Sequence, residues 1–123
     1  MTQDRQQLGN TGESAAAGYL QVQGYRILQR NYRNPMGEID LVARDHNTLV
    51  FVEVKTRRTQ RFGSAKTWVT AKKQRRLSLV ALVYLKQTGQ MNTRARFDVV
   101  TVDATMDPPQ IEVIQNAFEL TAY

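Results

Sequence analysis

Residues 37–57 constrain the fold more than any other stretch. GEIDLVARD and LVFVEVKTR are two apolar runs of strand length, joined by a short polar connection at Asp45-His46-Asn47. Side chains alternate faces along a strand. Over Glu38–Arg44 the alternation sets Glu38 and Asp40 on one side, with Ile39, Leu41 and Ala43 on the other. Over Thr48–Thr56, Phe51, Glu53 and Lys55 share a side and Val50, Val52 and Val54 lie opposite. A two-residue loop at His46-Asn47 pairs Asp45 with Thr48. Continuing that register sets Asp40 across from Glu53 and Glu38 across from Lys55. Opposed carboxylates repel, so the pattern calls for a compensating cation. Lys55 supplies one. A divalent ion that takes hard oxygen ligands, Mg2+ or Mn2+, would supply more. The plainer alternative is an exposed strand face carrying a surface Glu-Lys pair, a common and weak arrangement. The spacing of Asp40, Glu53 and Lys55, together with the charge beside them, favours the first reading.

That charge is uneven. Seventeen Lys and Arg against eleven acids give +6 over the 123 residues, with a pI near 10.0. Between Val54 and Phe97 there is no acid, and twelve basic residues fall in that stretch. Such a block is the expected footprint of a phosphate-binding face, with Arg57, Arg58, Lys72, Lys73, Arg75 and Arg76 as its gripping side chains. A solvated basic surface is the bland alternative. A basic helix lying on an anionic membrane has no other support. The absence of cysteine rules out thiolate chemistry and Cys-based zinc sites, and fits a reducing cytoplasm. With no apolar leader and no apolar run of membrane-spanning length, a cytoplasmic chain without a membrane partner is expected.

Length and apolar content suit one domain over 1–123. A helix is expected over Gly12–Gln23, capped by Asn10 or Thr11 and ended by Gly24, with Ala16, Tyr19 and Leu20 facing the core. A short strand over Tyr25–Tyr32 and a turn at Asn34-Pro35-Met36-Gly37 lead into the hairpin. A second helix is expected over Ala71–Gln87, capped by Thr70, stopped at Gly89, and buried along Leu77, Val80, Ala81 and Tyr84. Arg96–Val102 reads as a strand, and Ile111–Ile114 as a short edge strand after Pro108-Pro109. The order α-β-β-β-α-β-β predicts an α/β fold, a mixed sheet flanked by helices.

GEIDLVARD followed by LVFVEVKTR resembles the nuclease core written PD-(D/E)xK, shared by restriction-type endonucleases and Holliday-junction resolvases. More of the chain resembles the YraN family of small bacterial proteins. The likeness runs through GESAAAGYL, GYRILQRNYR, GEIDLVARD, LVFVEVKTR, RFGSA, KKQRRL and RFDVV, and so covers nearly all residues. The resemblance implies a restriction-endonuclease-like, tRNA-endonuclease-like fold. It matches Asp40 and Glu53 to metal-binding acids, Lys55 to the catalytic lysine, and Glu13 to a helical glutamate that completes the metal site in related enzymes. A plain helix-dipole role serves Glu13 nearly as well. Glu38 stands where the pattern has proline, as an extra ligand or as the partner of Lys55. Gln74 is similar to a glutamine that some exonuclease relatives carry, but Ser78 stands where those relatives place tyrosine.

Elsewhere the sequence offers less. His46, the lone histidine, suits a hairpin tip. Ser14, Ser64 and Ser78 lack a neighbouring base, and Trp68 suits base stacking or, more commonly, cover for the core. The expected activity is Mg2+- or Mn2+-dependent hydrolysis of a phosphodiester in nucleic acid, with DNA ahead of RNA, branched DNA among the candidates, and a homodimer plausible from resolvase-like relatives. Two other classes stay open: a nucleic-acid-binding module that does not cut, and an interaction domain docking a partner through Ala71–Gln87.

Overall fold

The structure is a computed structural model that describes residues 2–58 and 69–120, with residues 2–10 by their backbone alone. The elements run α1 (Thr2–Val22), β1 (Arg26–Asn34), β2 (Gly37–Asp45), β3 (Thr48–Arg57), α2 (Ala71–Gln87), β4 (Ala95–Asp103) and β5 (Gln110–Phe118). The strands form one sheet in sequential order, β1-β2-β3-β4-β5. Only β3 and β4, which are joined through α2, run parallel. This is the expected α/β architecture and element order.

Local sequence explains most boundaries. Thr70 caps α2 by accepting a hydrogen bond from the Lys73 amide at 3.2 Å. The predicted stripe of Leu77, Val80, Ala81 and Tyr84 is buried, joined by Ser78 and Leu85. The hairpin turns at His46-Asn47 and keeps its predicted register from Asp45↔Thr48 through Leu41↔Val52.

Other boundaries differ. α1 begins at Thr2 rather than Gly12: the preceding TQDRQQL is rich in residues that tolerate a helix, and the helix runs on through the less favourable Gly9 and Asn10. The strand expected over Tyr25–Tyr32 is Arg26–Asn34, and the turn narrows to Pro35-Met36, since Asn34 and Gly37 pair with each other. β5 spans nine residues where a short edge strand was expected, because the β4 ladder continues past a bulge between Phe97 and Val99. Arg61, Ser64, Lys66 and Trp68 lie outside the described residues.

The largest departure concerns the faces of the sheet. Leu41, Val42, Ala43, Leu49, Val50, Phe51 and Val52 are all buried, so the central strands are apolar on both sides. Ala16, Ala17 and Leu20 of α1 pack with Leu41, Ala43, Val50, Val52, Val100 and Val102. On the other side, Leu77, Val80, Ala81 and Tyr84 of α2 pack with Val42, Leu49, Phe51, Phe97 and Val99. Tyr84 meets Tyr32 and Phe51 edge to face, with ring centroids 5.1 and 5.7 Å apart. The ionisable residues therefore sit at one end of β2 and β3, not along a polar face.

Two glycines bring the helices onto that end. A Cβ on Gly12 would land on Thr56 Oγ1, so α1 can lie against β3 there only without a side chain. Gly37 has φ +146°, and a Cβ would come within 3.2 Å of Val80 Cγ2, with Arg76 close by. Asn34 reinforces this docking by donating to the Val80 carbonyl at 3.1 Å. Gly18, by contrast, is exposed with open space around its Cα. Two substitutions separate packing from helix propensity. Gly18→Ala should raise stability by about 0.5–1 kcal/mol, the usual gain of alanine over glycine inside a helix. Gly12→Ala should lower it by about 1–3 kcal/mol, because overpacking against Thr56 outweighs that gain. Urea unfolding of both variants is the check, and equal effects would contradict the close approach of α1.

Candidate functional site

β2 and β3 part company at Asp40. The last cross-strand pair is Leu41↔Val52, although both strands continue. Side-chain alternation also breaks here, since Ile39 packs on the α2 side and Leu41 on the α1 side. Asp40 therefore does not pair with Glu53 across the ladder, as the register alone implied. Its carboxylate instead accepts a hydrogen bond from the Val54 amide at 2.7 Å. Asp40 bridges the two strand ends, and the notch where they part is defined by this bond.

Glu53, the next residue along β3, receives Lys73 Nζ from the first turn of α2 at 2.8 Å. Glu38 does not serve as the cross-strand partner expected from the register. It forms an ion pair with Arg33 of the neighbouring strand at 2.7 Å, in an exposed setting where such pairs contribute little. Lys55 is exposed two residues beyond Glu53 on β3 and engages in an interaction of its own. Glu13 reaches the notch from α1. Its Oε2 is buried with no hydrogen-bond partner, an uncommon state for a native carboxylate.

The electrostatics follow from this crowding. Burial, then the neighbouring carboxylate of Glu53, push the Asp40 carboxyl up to about 7; Glu13 and Glu38 add to the rise, and the Val54 hydrogen bond opposes it. A half-buried acid pressed by three others, one with an orphaned oxygen, is a place where positive charge is wanted. The donor set is entirely carboxylate oxygen, which suits a hard divalent cation. No group of three or more His, Asp or Glu side chains among the described residues is arranged as a metal cage. The residues fit an ion that takes one or two carboxylates and completes its shell with water and phosphate, as magnesium commonly does.

The basic block divides. Arg58, Lys72, Arg75 and Arg76 are exposed. Arg57 is drawn to Asp103 of β4 at 3.5 Å, and Lys73 is held by Glu53. Gln74 donates its side-chain amide to the Val69 carbonyl at 2.9 Å, so that group braces the entry to α2. His46 is exposed at the hairpin turn with φ 56°, as a turn residue should be.

Arg96 belongs to the basic run in sequence but not to its surface. Its guanidinium bonds Asp98 at 3.0 Å, Asp45 at 2.8 Å and the Tyr25 hydroxyl at 2.9 Å. Asp98 is fully buried and also accepts from Tyr25 and from the Asn116 amide. Sequence reasoning missed this network. An acid inside the apolar run FDVV was the available signal, since a buried carboxylate needs partners. The Arg96 bond holds Asp45 below the usual carboxylate range, and burial raises the Tyr25 hydroxyl above its ordinary value. A groove of about 430 Å³ opens beside this network, lined by Tyr25, Asp45 and Gln115 among others. Another of about 470 Å³ lies between Arg57, Asp103 and Glu112. Neither contains Asp40 or Glu53. The side chains of the Arg96 network already satisfy one another, whereas the acids around Asp40 do not.

Two measurements probe these electrostatics. Asp40→Asn keeps an oxygen for the Val54 amide while removing the charge. With the native pKa above the unfolded value, the native state holds the extra proton, so this group costs nothing below about pH 4 and its full penalty above about pH 7. In chelator, the stability of the variant relative to wild type should therefore grow by about 2–4 kcal/mol from pH 4 to pH 8. A difference that does not move with pH would refute the crowding. Arg96→Met strands the buried Asp98 carboxylate and should cost about 3–5 kcal/mol by denaturant unfolding, whereas a loss under 1 kcal/mol, roughly that of a surface pair, would show the network to be dispensable.

Comparison with known proteins agrees with the resemblance to the YraN family. Residues 12–102 match the model of Uncharacterised protein family UPF0102. That span runs from Gly12, against β3, to the end of β4, and includes Asp40, Glu53, Lys55 and Lys73. The chain is 51% identical over 119 residues to a UPF0102 protein of Desulfosudis oleivorans, covering 97% of this chain and 95% of that one. It is 52% identical over 114 residues to a UPF0102 protein of Geobacter sulfurreducens, covering 92% and 89%. A third, from Symbiobacterium thermophilum, is 51% identical over 112 residues, covering 90% and 95%. The chain belongs to the UPF0102 family, the YraN family of its sequence resemblance.

Proposed function

We propose that this protein is a metal-dependent phosphodiesterase acting on nucleic acid, an endonuclease with DNA ahead of RNA as its substrate. The observation that carries the reading is the orphaned Glu13 oxygen beside an Asp40 carboxyl pushed up to about 7. Together they mark a half-buried site short of positive charge, flanked by the exposed cations of α2.

Asp40 and Glu53 would hold the ion, with Glu13 close enough to be reached through one of the ion's waters, and magnesium or manganese suits the donor set. When bound, such an ion polarises a phosphate and makes a nearby water acidic. Asp40 is positioned for this by its bond from Val54, which fixes the carboxylate at the base of the notch. Lys55 stands exposed two residues beyond Glu53 on β3, where its ammonium would orient the attacking water or offset charge building on the phosphate. The water oxygen bonds to phosphorus, the ester P–O bond breaks, and the departing oxygen takes up a proton. Lys72, Arg75 and Arg76 would hold the backbone on either side without reading sequence.

A second reading, a binding module that does not cut, draws support from Lys73 occupying Glu53 and from the lack of a three-ligand cage among the described residues. Incubation with Mg2+ or Mn2+ and a panel of branched, linear and single-stranded DNA plus structured RNA decides between them. Cleavage that falls by about a hundredfold or more in Asp40→Asn and Lys55→Met is expected for the enzyme. Salt-sensitive binding without turnover would leave the binding module, and activity unchanged in both variants would refute the assigned site.

A further inference from the structure

The acids of the notch have a cation of their own. Lys73 is the third residue of α2, with its amide bonded to the Thr70 cap. That is an unfavourable place for positive charge, because the N-terminal end of a helix already carries it. The first turn of α2 contains no acid to offset it. Lys73 is nevertheless half-buried, and its ammonium lies 2.8 Å from Glu53 Oε1, on a side chain only 18% exposed. The stabilising partner is therefore supplied from another element, and it is one of the carboxylates that would bind the ion.

We propose that Lys73 is a tethered counter-ion for Glu53, which neutralises this carboxylate in the metal-free protein and competes with the divalent cation for it. The inference rests on the metal reading given above and assigns the residue a role separate from gripping the backbone. Metal and ammonium cannot both take the same oxygen at full strength, so binding the ion releases Lys73. The freed ammonium stays tethered by its four-carbon stem beside the notch, among the exposed cations Lys72 and Arg76, where a phosphate would lie. Lys73 is thus a positioning residue in the free protein and a phosphate contact after exchange.

Binding of Mn2+ alone, followed by electron paramagnetic resonance of the free ion at low salt and pH 8, tests the exchange. Lys73→Met and Lys73→Gln should each bind Mn2+ about five- to tenfold more tightly than wild type, the equivalent of one partly exposed ion pair removed from competition. Lys86→Met, which removes the same charge from the far end of α2, should leave the affinity near that of wild type. In a Glu53→Gln background, Lys73→Met should have no effect, because the contested oxygen is no longer charged. Circular dichroism verifies that each variant is folded, and two substitutions at an accessible helix position guard against loss of either one. Equal or weaker Mn2+ binding by both Lys73 variants, with wild-type binding still dependent on Asp40, would overturn the exchange and leave the metal reading standing. No saturable binding by wild type or by the Lys73 variants would overturn both.

Discussion

The hydrogen bond from the Val54 amide to Asp40 Oδ2 holds together the part of the molecule on which the rest depends. It lies where the β2–β3 ladder gives out, and it replaces a backbone pair with a bond between main chain and carboxylate. An amide at the end of a splayed strand would otherwise need another acceptor. Satisfying it with aspartate instead of a carbonyl places a charge at the base of the notch. Burial makes that charge expensive, and Glu53, then Glu13, make it more so. The fold tolerates the cost because the buried strands behind it, covered by a helix on each face, supply far more than this corner takes away.

Charge is partitioned according to how deeply each group sits. Arg96 and Asp98 are satisfied internally, through Arg96 Nε and Nη2 and both Asp98 oxygens, and this network pins the hairpin tip, β4 and β5 to one another. Arg33 and Glu38 pair at the surface. Between these extremes lies the notch, where Asp40 and Glu13 remain short of positive charge and Glu53 is met by Lys73. A structural ion-pair network tends toward full satisfaction. The notch departs from it in a direction that favours a cation, and its neighbours on α2 favour an anion. A metal-bound phosphate, the ligand proposed above, would answer both demands at once.

Much of the fold was legible in the chain. Alternation and a two-residue loop yielded the hairpin and five consecutive cross-strand pairs, because these are contacts between near neighbours in sequence. The Thr70 cap and the apolar stripe yielded α2 over its observed span for the same reason. Of the site, Asp40, Glu53, Lys55 and Glu13 were singled out from residue types, spacing and resemblance, while the roles of Arg96, Gln74 and Lys73 were not read. Their side chains are committed to partners that only packing brings near: Asp98 is held by Tyr25, 73 residues away in sequence, and Glu53 is met by the helix that begins at Ala71.

What the sequence by itself determined is the local order: which segments are strands and helices, where they turn, and which residues carry charge at the strand ends. Alternation, caps and turns are short-range physics, and they act before the chain has compacted. The tertiary structure decided where the β2–β3 ladder stops, that Glu13 and Lys73 arrive from opposite helices, and that Arg96 is internal. Those outcomes depend on how two helices dock on a twisted sheet. The strand pattern alone carries the register forward indefinitely, and only the packing of Gly12 against Thr56 and Gly37 against Val80 shows where it must give way.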